Sequence, residues 1–402
     1  MEWFLLLLAS SIVASVTASD ASNRNSPNVV LILADDLGYG DLGFAPFNSI
    51  TMDAVKTPRL ERMSKHALTL TNFHVAAPVC SPSRAAILTG LFPFRLGIDF
   101  IYGPHPDQQL PMVPNLPMTL KSAGYYTAHI GKWHLGGQTP KDLARRRDSN
   151  FTDCFRPSIN QYGFDEYVGM TEGQGGDMLR TLAQKNTYTT GASCLVHNDV
   201  PISVPMGATH VRTVSPGSTG TSSAHTDSSK TSTSPVPHSP QPAAPTLPTL
   251  TDSQADHAIR VIKEQHAAGR PFFVNLWFNA PHNPLEGLAP FFADYKDKFP
   301  HIQLAKYASM ISNMDVNIGN VLDTLDELHI SENTLVIFTS DNGPEPGQGT
   351  GGSFKGSKRE LREGGIRVPA MVQWKGKIAP GITSDKFVLV PIYSRLLLRP
   401  WV

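Results

Sequence analysis

A doubly covered α/β fold, with a mostly parallel central sheet flanked by helices, is predicted by two features of the chain. One is a set of short, β-branched apolar runs with no polar alternation, the mark of strands buried on both faces. The other is the amphipathic stretches between them, because strands alternating with helices build a parallel sheet. The first run is Pro27 to Ala34 (PNVVLILA), which stops abruptly at Asp35, Asp36, Leu37 and Gly38. Further strands are expected at Leu68 to Ala76, Tyr125 to Trp133, Pro271 to Phe278, Thr334 to Thr339 and Ile366 to Trp374. The clearest helix carries Leu304, Tyr307, Ile311, Met314, Ile318, Val321, Leu325 and Leu328 at alternating spacings of three and four, a single apolar stripe. Another begins with Thr251 or Asp252 as cap and runs through Ile259 and Ile262 to about Ala268. In such folds ligands bind beyond the carboxyl ends of the strands.

With 402 residues, 40% of them hydrophobic, the chain is long enough for one large core. Its 34 Lys+Arg balance 34 Asp+Glu, so no basic field is available to capture a phosphate backbone and nucleic acid is not an expected partner. Three cysteines are too few for a disulfide-built scaffold. The apolar run Trp3 to Val13, followed by Val16, Thr17, Ala18 and Ser19, reads as a signal peptide spanning residues 1–18, although Glu2 replaces the usual basic start. A buried N-terminal strand is the alternative. The run is too short to span a bilayer, and no other apolar stretch reaches spanning length, so a chain without a membrane span is expected in the secretory pathway, lysosomal or extracellular. The sequon at Asn150, Phe151 and Thr152 fits a glycoprotein on that route. Residues from about 202 to 250 are Ser, Thr, Pro, Gly and His with hardly an aromatic side chain, and read as a low-complexity insertion. The expected organisation is therefore a catalytic domain at 19–384 carrying that insertion, then an atypical tail at 385–402.

Three segments carry chemistry. From Val79 to Gly90 (VCSPSRAAILTG), Ser81 is a good helix cap, Pro82 suits the first helical position and Gly90 ends the helix. Cys80 then lies just before a helix N-terminus, where amide donors favour an anion. Arg84 sits in the first turn, against the dipole, within reach of Cys80. An inert buried thiol and a solvated arginine are the alternative. Asp35–Asp36 and Asp341–Asn342 each follow an apolar run, so two strands end in adjacent oxygen donors. Three carboxylates and an amide suit Ca2+, or Mg2+, rather than zinc, although either doublet alone could be a plain turn. Lys132 and His134, two apart at a strand end, should face the same way.

The motif Cys80-Ser81-Pro82-Ser83-Arg84 matches the C-x-P-x-R signature of type I sulfatases, and Gly124 to His134 (GYYTAHIGKWH) resembles their second signature. Asp35–Asp36 with Gly38-Tyr39-Gly40, Ala280-Pro281-His282, Ser340-Asp341-Asn342-Gly343, and Lys358 ahead of Glu363-Gly364-Gly365-Ile366-Arg367 follow in the family's order. The resemblance covers about residues 27 to 375. It implies an alkaline phosphatase-like fold and an arylsulfatase-like hydrolase of small-molecule or glycan sulfate esters. It also implies that a formylglycine-generating enzyme converts Cys80 to formylglycine during maturation. The modified Cys80 would join Asp35, Asp36, Asp341 and Asn342 at the cation. Lys132 and Lys358 would hold the sulfate oxygens, His134 would meet the formylglycine hydroxyl, and His282 would protonate the leaving alcohol. With Cys80 modified, Cys154 and Cys194 remain as a pair or as two free thiols. Two departures stand out. No hydroxyl ligand for the sulfate is identifiable along Gly163 to Gly173, and after Ile382 the expected C-terminal subdomain does not follow. A phosphonate or phosphate monoester hydrolase of the same fold, and a truncated inactive isoform, are the other readings.

Overall fold

The structure, a computed structural model, describes residues 26–49, 52–102, 108–136, 159–170, 195–197, 200–201 and 249–390. The run read as a signal peptide, the sequon, Cys154, Cys194 and most of the segment read as an insertion lie outside the described residues.

Twelve strands are described: β1 (Asn28–Ala34), β2 (Leu68–Leu70), β3 (Phe73–His74), β4 (Tyr126–Lys132), β5 (Glu166–Met170), β6 (Leu195–His197), β7 (Val200–Pro201), β8 (Phe272–Trp277), β9 (Thr334–Ser340), β10 (Ala370–Gln373), β11 (Ile382–Ser384) and β12 (Val388–Leu389). Ten of them form one sheet in the order β11-β2-β10-β9-β1-β8-β4-β5-β6-β7. Its centre, β9-β1-β8-β4-β5, is parallel throughout. β10 enters antiparallel between β9 and β2. The unpatterned apolar run of β1 is explained by its place: Val30, Ile32 and Ala34 belong to the core on one face and Val29, Leu31 and Leu33 to the core on the other.

The helices are α1 (Pro58–Ser64), α2 (Cys80–Thr89), α3 (Leu116–Ser122), α4 (Leu250–Ala267), α5 (Phe291–Tyr295), α6 (Ile302–Glu327) and α7 (Glu363–Ile366). The stripe from Leu304 to Leu325 on α6 is buried against the first core, with Leu328 half-buried beside it. Asp315 of α6 also accepts from the amides of Arg59 and Leu60 at 3.0 and 2.7 Å, supplying the cap that α1 lacks locally. Among the described residues, no helix is long and apolar enough to cross a membrane.

Four local expectations are corrected. Leu68 to Ala76 is two short strands in separate sheets, because Thr71 and Asn72 turn the chain between them. The strand expected from Ile366 starts only at Ala370: Glu363–Ile366 is a helical turn and Pro369 has no amide to donate. The cap of α4 is Thr249, in a reciprocal capping box with Asp252, so Thr251 and Asp252 lie inside the helix. Ser81 does not cap α2. The extended residue there is Val79, Cys80 is the first helical residue, and the Ser81 hydroxyl instead accepts from the Tyr102 amide at 2.9 Å. At the other end of the chain, β12 pairs in parallel with β3 and Val390 is buried, so residues 388–390 pack into the body.

Candidate active site

The functional side chains gather where four neighbouring parallel strands end. β1 runs into Asp35 and Asp36 while β9, paired with it through Ala34 and Ser340, runs into Asp341 and Asn342. The Asp341 amide donates to the Ala34 carbonyl at 3.1 Å, so the two oxygen-rich doublets lie side by side. β8 leads to His282, and β4 delivers Lys132 and His134. Helix α2 brings Cys80 and Arg84 in from the second core.

Lys132 Nζ donates to Asp35 Oδ2 at 2.5 Å and lies 3.6 Å from Cys80 Sγ. Cys80 Sγ is 3.7 Å from Asp35 Oδ1. Lys358 Nζ donates to Asp36 Oδ2 at 2.7 Å, and His282 Nε2 is 3.5 Å from the same oxygen. Arg84 is not a solvated surface charge: it is fully buried and donates to Asp341 Oδ2 from Nε at 3.0 Å and from Nη2 at 2.7 Å. Its Nη1 donates to the Lys132 carbonyl at 3.0 Å, Nη2 is 3.3 Å from Asp35 Oδ1, and the guanidinium lies 5.2 Å over the Trp277 ring. Arg84 therefore braces the ends of β9, β1 and β4 together, rather than folding back alone toward Cys80.

The electrostatics follow from burial and alternation of charge. Burial raises the Asp35 carboxyl, but Lys132, His282 and Arg84 outweigh it and hold the group below its ordinary value. Burial, aided by the carboxylates of Asp341 and Asp35, pushes the Cys80 thiol far up against the pull of Lys132. For Lys358, burial is overcome by Cys80 and by Asp36, and the ammonium stays charged. Burial, followed by the charges of Lys132 and Arg84, holds His134 well below an ordinary imidazole, so it is neutral.

The histidine tautomers are set by main-chain carbonyls. His134 Nε2 is 3.2 Å from the Tyr102 carbonyl, which can only accept, so the proton sits on Nε2 and the buried Nδ1 is left as an unpartnered acceptor. His282 Nδ1 donates to the Asn283 carbonyl at 2.7 Å, turning Nε2 toward Asp36. Tyr102 and Asn283 were not identifiable from sequence, since any residue supplies a carbonyl.

These residues fit a divalent cation. Ligand atoms of Asp35, Asp36, Cys80 and His282 lie within 4.8 Å of one another. Asn342 Nδ2 donates to Asp36 Oδ1 at 2.7 Å and to the Gly343 carbonyl at 2.8 Å, leaving its buried Oδ1 without a partner in an otherwise acidic cluster. Asp35, Asp36 and the free Asn342 Oδ1 offer the oxygen donors that suit a hard cation, whereas Asp341 is not among the grouped ligand atoms, its Oδ2 being taken by Arg84 and its Oδ1 by the Asp36 amide. Of the stretch Gly163 to Gly173, in which no hydroxyl ligand for the sulfate is identifiable from sequence, only Gly163 to Met170 lies within the described residues.

Backbone geometry marks the same place. Among the described residues, four that are not glycine have positive φ, and two of these, Asp36 at 64° and His134 at 54°, are in the site. Gly131, just before Lys132, has φ 109°, and a Cβ there would stand 1.8 Å from the Trp277 carbonyl oxygen. Gly131→Ala is expected to cost about 2–5 kcal/mol in urea denaturation, from strain plus overpacking, and to displace Lys132. Gly97→Ala, where φ is 68° and nothing lies within 4 Å, is the control and should cost about 1 kcal/mol. Equal losses in the two variants would show that close β4–β8 contact does not require the glycine.

A family model described as Sulfatase matches residues 27–390. N-acetylgalactosamine-6-sulfatase of Canis lupus familiaris is 31% identical over 407 residues, covering 96% of this chain and 63% of that protein. Steryl-sulfatase of Mus musculus is 32% identical, covering 96% and 64%, and arylsulfatase A of Homo sapiens is 30% identical, covering 89% and 61%. The chain thus spans a little under two thirds of the length of these relatives. Among solved structures, Ps i-CgsB matches with a TM-score of 0.71 at 25% identity, covering 94% of this chain and 72% of that one. The phosphonate monoester hydrolase of Agrobacterium radiobacter shares the fold, with a TM-score of 0.55 at 19% identity over 92% of this chain and 73% of that one. The chain belongs to the sulfatase family.

Proposed function

From that membership we propose that this chain hydrolyses sulfate esters, R–O–SO3⁻ and water giving R–OH and hydrogen sulfate, at a formylglycine made from Cys80 beside a bound Ca2+. The observation that carries the proposal is the convergence of Cys80, Lys132, His134, His282 and Lys358 on one carboxylate cluster at the strand ends. Three carboxylates, Asp35, Asp36 and Asp341, face three basic side chains, Arg84, Lys132 and Lys358. That balance leaves a dication's charge free to be matched by an anionic ester. Asp35, Asp36, Asp341 and Asn342 would hold the cation, with Mg2+ as the alternative, and its contribution would be to polarise the nucleophile and one sulfate oxygen. Formylglycine would supply a hydrated aldehyde, one hydroxyl to attack sulfur and a second to expel sulfate afterwards.

The chain's own residues divide the remaining work. Each lysine spends one donor on a carboxylate and retains others for sulfate oxygens. His134 Nδ1, neutral and unpartnered, is suited to accept the proton of the attacking hydroxyl. His282 Nε2, beside Asp36, is suited to protonate the departing oxygen, the atom on which charge develops. Arg84 acts through the carboxylates it braces.

Purified protein from a secretory host, which supplies the formylglycine-generating enzyme, should cleave a chromogenic aryl sulfate well above the matching phosphate ester. A reversed preference would favour the phosphonate or phosphate monoester reading, which the shared fold motivates. Absence of either activity in folded, metal-loaded protein would favour an inactive form. Maturation through the secretory pathway to lysosome or exterior, and a catalytic domain at 19–384 carrying an insertion at about 202–250 and a tail at 385–402, belong to the same proposal. They rest on the Trp3 to Val13 run and on the composition of those segments.

A further inference from the structure

A chain of alternating charges leads from the carboxylate cluster to the surface. Lys358 Nζ is 2.7 Å from Asp36 Oδ2 and 3.9 Å from Glu345 Oε2. Glu345 in turn grips Arg359 with both oxygens, at 2.7 Å from Nη1 and 2.9 Å from Nη2. Side-chain exposure rises along the chain, from 3% at Lys358 through 19% at Glu345 to 48% at Arg359. Arg359 is thus the outermost cation, one carboxylate away from the ammonium proposed to hold sulfate.

Its backbone is unusual for a long side chain. Arg359 has φ 74°, in the left-handed region that glycine occupies without penalty. The strain is held from both sides: the Lys358 amide donates to the Pro344 carbonyl at 2.9 Å, and the Arg359 amide to the Pro78 carbonyl at 2.8 Å. Those anchors sit in the two loops that carry Asp341–Asn342 and Cys80. The bidentate pair with Glu345 is set against the cost of that backbone conformation, and about half of the arginine side chain is still left exposed at the rim. Glu345 takes one N–H from each terminal nitrogen, which fixes the plane of the guanidinium and leaves its Nε edge and outward N–H groups available. The same rim is polar further along, where Gln348 Nε2 donates to Asn283 Oδ1 at 3.0 Å beside His282.

We propose that Arg359, oriented by Glu345, is a specificity-determining residue that binds a second anionic group of the substrate. The substrate class is then a sulfate ester whose skeleton carries another sulfate or a carboxylate close to the scissile ester, an acidic saccharide rather than a neutral sterol or phenol. Closely spaced anions on one sugar ring or on two adjoining rings are the chemistry such a pair of neighbouring cations recognises. This rests on the sulfate ester reading above.

Three probes test it: a disulfated monosaccharide, a monosulfated disaccharide bearing a uronate, and a chromogenic aryl monosulfate. Wild-type kcat/KM should be higher for at least one of the two saccharides than for the aryl ester. Arg359→Gln should lower kcat/KM on that saccharide, mainly through KM, by about 10- to 100-fold more than on the aryl ester. The saccharide that loses more identifies the second group as sulfate or carboxylate. Arg359→Gly, relaxed at this φ, should lose the same preference while melting no lower than wild type, which a merely structural arginine would not do. Equal losses on all three probes, or no preference in wild type, overturn the proposal alone. Wild type that cleaves none of the three overturns the sulfate ester reading on which it stands.

Discussion

Cys80→Ser is expected to abolish sulfate ester turnover, by about 10^4-fold or more, with little change in the urea midpoint. The side chain is fully buried at the first position of α2, a place where serine is accommodated, and oxygen for sulfur removes little volume. As a plain thiol Cys80 is a poor nucleophile, because burial and the carboxylates of Asp341 and Asp35 keep it protonated. A thiol that attacked sulfur would have no second hydroxyl with which to expel sulfate, as the proposed aldehyde hydrate has, and serine lacks the thiol on which the formylglycine-generating enzyme would act. Mass spectrometry of the Cys80 peptide from active wild type should show the aldehyde or its hydrate. A serine variant within tenfold of wild type, or active wild type with an unmodified thiol, would refute the formylglycine assignment.

Much of the centre of this molecule was legible because its signals are local. The β1 and β9 runs read as buried strands since both faces are covered, and each ends in its polar doublet within the same short segment. Where neighbours in sequence also act together, as with Lys132 and His134 at the end of β4, spacing was informative. Less legible were contacts that depend on distant chain. Arg84 and Asp341 lie 257 positions apart, so nothing near Arg84 indicated that it would turn to a carboxylate on another strand. Ser81 has every local property of a cap, yet its hydroxyl is taken by Tyr102, 21 positions away. The Tyr102 and Asn283 carbonyls orient the histidines without any side-chain signature. Arg359 adopts a left-handed conformation that its residue type argues against, so only the structure discloses it.

Asp341→Ala should have the largest combined effect on stability and activity. Its Oδ2 accepts both Arg84 bonds and its Oδ1 accepts from the Asp36 amide at 3.1 Å, so the substitution unpairs a fully buried guanidinium and loosens the adjacent carboxylate. Breaking a buried pair from one side costs about 3–5 kcal/mol, because the remaining charge has lost its compensation. The Lys132 carbonyl at 3.0 Å and Asp35 at 3.3 Å remain to Arg84, which places the expected loss toward the lower end of that range. Removing one anionic donor from the proposed cation site should also lower the calcium content of purified protein, and turnover with it. The two consequences separate in the double variant Arg84→Met with Asp341→Ala. Deleting both partners removes the uncompensated charge, so more than half of the lost stability should return in urea denaturation, while calcium content and activity stay low. Full recovery of activity in the double variant would show that Asp341 serves only to neutralise Arg84. An Asp341→Ala protein that melts like wild type and retains its calcium would exclude both roles.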